Sequence, residues 1–364
     1  MRVDRIIAAY PGNPLATNPA RPARAAIVCT LRAAAPVVDS FIRYHLALGF
    51  AHIFLFFDDP LDPAIDIAAR HGAARVSVIR DGQELFGEWR KCAQFPHFVP
   101  HLSHEVMARQ CLNVEVAVQL ALARGYDWLL HIDADELFHC PGQDAGDHFA
   151  RLAASGVERA VYPNLEALPE AIEVTDWFRQ ATLFKVNRNL LPGGRFSPAQ
   201  AGLAARFAQF PHNFFLFYSN GKSAARLRPG LVPDGVHRFS ATMVPRAGQS
   251  AARLPPIQEH VIADCRILHY ACIGFSNFVV KYRILGRFGD RWFDRVPITD
   301  SISDFHTAAR DVIASGTRQQ ALDFYRGRAM IEDPHAIATL IRAGLLLRVP
   351  GPAQWLNGEV TAPA

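Results

Sequence analysis

The sequence contains little lysine, no regularly spaced cysteines and no long apolar run. Only four of its 38 basic residues are lysines, and the arginines are spread along the chain without forming a basic block. A formal net charge of +4 is too small to indicate a nucleic-acid-binding protein. The longest apolar runs, such as 53–57, are far shorter than the roughly 18 residues that a membrane span needs. The sequence therefore predicts no transmembrane helix.

The cysteines and the N-terminal residues indicate the cellular compartment of the protein. None of the six cysteines belongs to a CxxC pair, which argues against a zinc knuckle or a redox motif. Asp4 and Arg5 precede a very short apolar piece, a pattern that does not match a secretory signal peptide. We therefore expect a cytoplasmic protein. The apolar, arginine-flanked segment 336–347 could rest on the inner face of the membrane, but packing on the domain is the favoured interpretation.

The chain has the composition and the periodicity of an α/β protein. Its 364 residues are 50% hydrophobic and 20% charged, which suffices for a sizeable core. From Ala25 onward, short apolar runs alternate with amphipathic stretches. The runs predict strands at 25–31, 50–57, 75–80, 127–132, 159–162, 182–186, 213–218 and 266–270. The stretches predict helices at 36–49, 63–70, 103–124 with Ser103 as N-cap, 275–285 and, two or three in number, 301–347. Loops are expected at 82–101 and 191–202.

Strands joined by helices imply right-handed crossovers, and therefore a Rossmann-like, mainly parallel sheet with helices on both faces. No internal repeat or clean linker is present. We predict an N-terminal tail at 1–24, one domain at 25–290 and a helical C-terminal extension at 291–364. In such sheets ligands bind at the carboxyl ends of the strands, where Thr30 to Arg32, Asp58 to Asp59 and Asp133 to Glu136 follow three of the strands.

The segment HIDADELF, from His131 to Phe138, is the most informative part of the sequence. A buried strand ends there in Asp133 and Asp135, two carboxylates that can lean toward one point beyond the sheet edge. Together with Glu136 they repel one another unless a cation holds them. Oxygen ligands favour Mg²⁺ or Mn²⁺, and such an ion can neutralise a departing diphosphate. A solvated acidic turn is the alternative.

Several ordered motifs resemble the GT-A glycosyltransferases of the family 2 and family 92 type. The motifs are DWLLHIDADELF, NGKSAAR from Asn220, GVHRF from Gly235, ILHY from Ile267 and FVVKYRILG from Phe278. YPNLEALPE, from Tyr162, and NGKSAAR also look like plant KOBITO-type glycosyltransferase-like proteins. The likeness covers about residues 25 to 290. It implies a metal-dependent transfer of a sugar from a UDP- or GDP-sugar to a glycan, lipid-linked or small-molecule acceptor.

The resemblance also implies roles for particular residues. Asp133 and Asp135 match the Asp-x-Asp site for metal and diphosphate, with Asp135 the stronger metal ligand and a catalytic residue. Asp58 matches an acidic position that contacts the nucleotide, and Glu136 would support the turn or help to bind the donor. The chain departs from many relatives after strand one, where Leu31, Arg32 and Ala33 replace a Lys-Asn-Glu-like segment.

Basic and histidine side chains are expected to complete this site. Lys222 lies in a glycine-containing turn and supplies a point charge for the diphosphate, with a surface turn as the alternative. The resemblance implies a histidine metal ligand from the C-terminal part of the domain. His269 is favoured over His237 for this role, because it ends a short apolar strand.

An inverting transfer, which is the commoner outcome in the resembling families, would need a carboxylate to accept the proton of the acceptor hydroxyl. Of the carboxylates between 160 and 180, Glu166 is our choice. Two other functions stay open. A nucleotidyltransferase would usually carry a glycine-rich loop after strand one, and Thr30 to Ala33 contain no glycine. A non-catalytic protein that binds a sugar or a partner is the third possibility.

Overall fold

A computed structural model describes residues 21–208, 214–241, 244–246, 249–252, 257–286, 291–293, 296–297 and 300–361. These residues divide into two compact units, and each unit is built from two separate stretches of chain. The first unit comprises 21–162 and 221–265, and the second comprises 163–220 and 266–361. The predicted limits of the tail, the domain and the extension are a different division and stay a prediction, because 1–20 and 287–290 lie outside the described residues.

The strands follow the predicted alternation. They are β1 (Ala25–Leu31), β2 (His52–Phe57), β3 (Val76–Arg80), β4 (Trp128–His131), β5 (Glu136–His139), β6 (Arg159–Tyr162), β7 (Asn164–Ala167), β8 (Leu183–Lys185), β9 (Lys222–Arg226), β10 (Leu231–Asp234), β11 (Arg238–Ala241), β12 (Val244–Arg246), β13 (Gln249–Ala252), β14 (Glu259–Val261), β15 (Arg266–His269), β16 (Arg291–Trp292), β17 (Val296–Pro297) and β18 (Leu346–Arg348).

The α-helices lie between these strands and after them. They are α1 (Val38–Ala47), α2 (Ala64–Ala69), α3 (Gln83–Trp89), α4 (Phe95–Phe98), α5 (Val106–Ala123), α6 (Ala145–Ala154), α7 (Trp177–Gln180), α8 (Pro198–Arg206), α9 (Phe275–Leu285), α10 (Asp300–Ser315), α11 (Arg318–Ala329), α12 (Pro334–Arg342) and α13 (Gly351–Leu356). Short 3₁₀ helices occupy Val99–His101, Arg188–Leu190 and Pro192–Gly194.

The main sheet of the first unit has seven strands in the order β14-β6-β9-β4-β1-β2-β3. The pairs β1·β2, β2·β3, β1·β4 and β14·β6 are parallel, whereas β9 runs antiparallel to β4 and β6. Every residue of β1 and β2 is buried, as expected for strands that are covered on both faces. The predicted mainly parallel α/β class with C-terminal helices is therefore confirmed.

Gly49 shows how one residue ends a helix and sets a close contact. Helix α1 ends at Ala47 with Leu48 as its C-cap, and Gly49 follows with φ of 98°, a conformation that residues other than glycine rarely adopt. A Cβ at this position would clash with the carboxylate of Asp144. Asp144 in turn caps α6 by accepting hydrogen bonds from the amides of Gly146 and Asp147.

Several sequence predictions were wrong. The predicted loop at 82–101 contains α3, α4 and a 3₁₀ helix, which are too short for a helical period to show. The predicted loop at 191–202 contains the start of α8, whose capping box of Ser197 and Gln200 precedes a weak apolar pattern. Helix α5 begins at Val106 after Glu105, so Ser103 is not its N-cap.

The predicted strand at 213–218 is wrong for its described residues, 214–218, which form no strand. The amides of Leu216 and Phe217 donate instead to the Glu166 carboxylate. A side chain thus provides the hydrogen-bond acceptor that the backbone of a neighbouring strand would otherwise provide. Residue 213 lies outside the described residues.

In the second unit, β18, β8, β7 and β15 lie side by side in that order. Aromatic side chains of α9, among them Phe278 and Tyr282, pack with Phe305 and Tyr325 of the following helices. Leu340 of α12 is fully buried in a second cluster with Leu183 and Leu346, which supports the interpretation that this helix packs on its own unit. Within the part of the chain that the structure describes, no helix combines the length and apolarity needed to cross a bilayer.

Candidate active site

The carboxyl ends of β1, β2 and β4 meet at one edge of the main sheet. The amide of Asp58 donates to the carbonyl oxygen of Leu31 at 3.0 Å, which joins the ends of β1 and β2. The amide of Ile132, the residue after β4, donates to the carbonyl oxygen of Val28 in β1 at 3.2 Å. The acidic turn begins at the next residue, Asp133. The structure thus places Asp58 and the Asp133 to Glu136 turn at the edge where ligands of parallel sheets bind.

The acidic turn is closed by its own hydrogen bonds. The amide of Asp133 donates to Glu136 Oε2 at 2.8 Å, and the amide of Glu136 donates to the Asp133 carbonyl at 3.1 Å. Glu136 is buried, whereas Asp135 is partly exposed. Burial and the neighbouring Asp133 and Asp135 raise the pKa of Glu136 to about 8, against the opposing charge of Lys222. These contacts favour a supporting role for Glu136 in the turn, and its expected part in binding the donor stays a prediction.

Lys222 inserts a buried ammonium group into this turn. Its Nζ atom lies 2.6 Å from Asp133 Oδ2 and 3.6 Å from Glu136 Oε2, and it donates to the Val236 carbonyl at 3.1 Å. The side chain is 1% exposed. Burial opposes the charged form, but the two carboxyl groups raise the pKa of Lys222 above its ordinary value. Lys222 is thus an internal cation and not part of a surface turn.

The electrostatic balance of the turn follows from these contacts. Burial alone would raise the pKa of Asp133, but Lys222 outweighs it and lowers that pKa below its usual range. Burial first, and then Lys222, lower the pKa values of His131 and His237 to about 3, so both imidazoles are neutral at pH 7. The ammonium of Lys222 therefore balances Asp133 within the protein itself.

The residues present fit a divalent cation only in part. Carboxylate oxygens are the ligands that Mg²⁺ and Mn²⁺ prefer, and the partly exposed Asp135 fits as a direct ligand. Both oxygens of Asp133 already accept hydrogen bonds, Oδ2 from Lys222 and Oδ1 from Gln110 Nε2 at 3.0 Å. Asp133 therefore fits better as the partner of Lys222 than as a second ligand of the ion.

Of the two histidines expected as metal ligands, His237 lies in the same unit as the acidic turn. Its Nδ1 atom lies 2.9 Å from the carbonyl oxygen of Gly221, the residue before Lys222. Because a carbonyl oxygen only accepts, Nδ1 carries the proton and Nε2 is the basic nitrogen. His269, the favoured choice, belongs to the second unit, where its ring packs on Phe217 at 5.7 Å between centroids.

Glu166 is also in the second unit, and its surroundings do not suit the expected role as a base. Its Oε1 atom accepts a hydrogen bond from Lys185 Nζ at 2.8 Å, and both side chains are about fully buried, at 2% and 1% exposure. Its Oε2 atom accepts from the amides of Leu216 and Phe217. One ammonium and two amides therefore occupy both oxygens of this carboxylate. These contacts favour a structural role, and the expected role as a base stays a prediction.

Three residues of α5 that were not predicted from the sequence reach the strand ends. Arg109 forms a two-pronged ion pair with Asp58, in which Nη2 donates to Oδ2 at 2.8 Å. Gln110 contacts Asp133, and Asn113 Nδ2 donates to Thr30 Oγ1 at 3.0 Å. The signal was present, since Gln110 and Asn113 are polar residues three apart in a helix that is otherwise largely apolar.

The Arg109 ion pair changes the interpretation of Asp58. The Asp58 side chain is only 5% exposed, and Arg109 Nη1 also donates to the Leu102 carbonyl at 2.6 Å. Arg32, which is 45% exposed, lies 4.0 Å from both Asp58 and Asp59. The more accessible group at this strand end is therefore the cation of Arg32. The predicted contact between Asp58 and a nucleotide stays a prediction.

Fold and site together define a mainly parallel α/β protein with a charged site at the carboxyl ends of its strands. Two glycosyltransferase-like proteins of Arabidopsis thaliana are similar to the chain, at 28% identity over 324 residues and 24% over 328 residues. Each comparison covers 86% of this chain, which spans 67% of one relative and 59% of the other. No protein-family model matches the chain.

Solved glycosyltransferases are more distant. Core-mannan synthase A of Aspergillus fumigatus, in its Mn/GDP form, has 12% identity and a TM-score of 0.26 over 45% of this chain and 46% of that chain. A mannosyltransferase of Pyrobaculum calidifontis, in complex with GDP-mannose and Mn²⁺, has 12% identity and a TM-score of 0.33 over 98% and 84%.

Proposed function

We propose that the protein is a glycosyltransferase of the GT-A type that transfers a sugar from a nucleotide-sugar donor to an acceptor. The observation that carries the proposal is the buried Lys222 between Asp133 and Glu136 at the carboxyl ends of the strands. The similarity to the glycosyltransferase-like proteins of Arabidopsis thaliana supports it. The ion pair fixes the acidic turn, and the exposed cation of Arg32 at the end of β1 can contact the diphosphate of a donor, whose leaving group is an anion.

The residues in and around the acidic turn have different roles in binding the donor. Lys222 is 1% exposed and engaged by Asp133, so this ion pair, with Gln110 on the other oxygen of Asp133, fixes the turn that carries Asp135. Arg32 at the end of β1 offers an exposed cation for the diphosphate. Asp135 would hold Mg²⁺ or Mn²⁺, with His237 a further candidate. A bound ion would supply charge neutralisation for the departing nucleoside diphosphate.

The direct test measures nucleoside diphosphate released from a panel of UDP- and GDP-sugars with Mn²⁺. We expect release from at least one donor, and we expect Asp135→Asn and Lys222→Met to abolish most of it. Lys91→Met is the matched control, since Lys91 pairs with Glu88 on the surface and is 65% exposed. Release of pyrophosphate from a nucleoside triphosphate would instead indicate a nucleotidyltransferase. No donor binding or turnover, with folded protein, would overturn both.

A further inference from the structure

A cluster of two cysteines and one histidine lies inside the first unit, and the proposed transfer does not use it. Cys140 follows β5, His148 lies on α6, and Cys265 follows β14. Cys140 and Cys265 are joined as a disulfide across 125 residues of sequence, although their spacing gave no sign of a pair. Both cysteines are fully buried, and His148 is 1% exposed.

The three side chains converge closely enough to share one ion. Both Sγ atoms and one ring nitrogen lie within 4.8 Å of one another. Nδ1 of His148 is 3.5 Å from Cys265 Sγ, and Nε2 is 2.9 Å from the hydroxyl oxygen of the buried Tyr162. A histidine ligand in a metal site usually holds its second nitrogen in a hydrogen bond of this kind. Among the described residues, no other group of His, Cys, Asp or Glu meets this arrangement.

The donor atoms select a soft metal. Zinc binds thiolates at about 2.3 Å and imidazole at about 2.0 Å, which brings its donors within about 4 Å of each other. Magnesium and manganese prefer oxygen, so this cluster and the acidic turn suit different ions.

We propose that Cys140, His148 and Cys265 bind Zn²⁺ when the disulfide is reduced. Two thiol molecules, or one dithiol, supply two electrons and two protons and are oxidised to a disulfide, while the S–S bond breaks to give two thiols. Each thiol then loses its proton as its sulfur binds the ion. Three protein ligands leave one position for water. The cluster therefore has two alternative states, a disulfide when oxidised and a zinc site when reduced.

The experiment measures metal and thiols on the same protein. The full chain is reduced with a phosphine, which does not compete for zinc as thiols do, then incubated with Zn²⁺ and desalted. We expect one zinc per chain by elemental analysis, and two fewer cysteines open to alkylation than in the zinc-free reduced chain. Oxidation before desalting should release the zinc and leave the disulfide.

Variants and a spectroscopic probe test whether the zinc is bound by these three side chains. Cys140→Ser, Cys265→Ser and His148→Gln should lose the zinc, whereas Cys111→Ser, a buried free cysteine elsewhere in the unit, should keep it. If the serine variants do not fold, Co²⁺ added to the reduced wild-type chain should give sulfur-to-cobalt charge-transfer bands. Absence of those bands, no zinc above the His148→Gln level, or a disulfide that survives reduction in the folded chain would each overturn the proposal.

Discussion

Lys222 Nζ lies 2.6 Å from Asp133 Oδ2, and this ion pair at the end of the sheet joins two segments 89 residues apart in the chain. Lys222 begins β9, which runs antiparallel beside β4 and delivers the ammonium to the turn that follows β4. The pair neutralises an acidic turn that would otherwise repel itself. It also fixes the acidic turn at the edge where a parallel sheet binds its ligand.

Breaking this pair should cost stability. Lys222→Met leaves the Asp133 carboxylate without its cation, and we expect the free energy of unfolding to fall by about 3 kcal/mol or less, because Asp133 is 30% exposed and water reaches it. Urea denaturation measures the change. In a double-mutant cycle, Asp133→Asn in the Lys222→Met background should cost little more. Additive losses would show that the two side chains do not interact.

Glu136 should make the stability of the metal-free protein depend on pH. Its pKa is raised from 4.5 to about 8 in the folded state, so the folded chain binds a proton more tightly than the unfolded chain. The stability that this proton contributes is present at pH 4 and is lost as pH rises toward 8. Glutamine has no titratable proton, so the stability of the Glu136→Gln variant does not fall in this way as pH rises. The variant should therefore gain stability relative to wild type between pH 5 and 8, by at most about 1.4 kcal/mol per pH unit.

Chemical denaturation at several pH values, with a chelator present, checks this prediction. Glu84→Gln is the control, because Glu84 is exposed in the first turn of α3. A constant difference between wild type and Glu136→Gln across this range would contradict a raised pKa.

Glu166 should matter for folding and not for proton transfer. Glu166→Gln leaves the ammonium of Lys185 buried without its carboxylate, so we expect a loss of about 3 to 5 kcal/mol in the free energy of unfolding. Turnover per folded molecule should stay within a few-fold of wild type. A pH-independent loss of turnover by several orders of magnitude in folded protein would restore Glu166 as a catalytic base.

Arg109 should be intolerant of lysine. Arg109→Lys keeps the charge but loses the two-pronged contact with Asp58, and we expect a loss of about 1 to 2 kcal/mol and weaker donor binding. The control is Arg43→Lys, whose ion pair with Asp39 is on the surface, with side chains 45% and 49% exposed. Thermal unfolding and donor titration of both variants test the difference. Equal behaviour of the two would argue against a special role for Arg109.

Ala33 holds a strained backbone next to the site. Its φ of 55° lies in the left-handed region, and its amide donates to Asp62 Oδ2. Ala33→Gly removes the steric cost of that conformation, so stability should rise by up to about 1 kcal/mol. Ala34→Gly, one residue on, has no such strain to relieve and should lose about 0.5 to 1 kcal/mol. Urea midpoints of the two variants should move in opposite directions.

The regular elements were predictable because short-range patterns define them. The apolar run of β1, the run of β6 and the helix α9 coincide with the predicted ranges 25–31, 159–162 and 275–285. The segment after residue 213 differs, because a distant side chain decides its conformation. Its apolar residues look like a strand, yet the amides of Leu216 and Phe217 bind the side chain of Glu166, and no local pattern reveals that partner.

The sequence by itself determined the mainly parallel α/β class, the strand ends that carry Asp58 and the acidic turn, and the resemblance to glycosyltransferases. Each of these depends on residues close together in the chain, through hydrophobic period and motif spacing. Only the tertiary structure decided that Lys222 neutralises Asp133, that Glu166 is engaged by Lys185, and that Cys140 meets Cys265. Those contacts join distant segments, and their energies depend on burial and on charge separation, which no local pattern records.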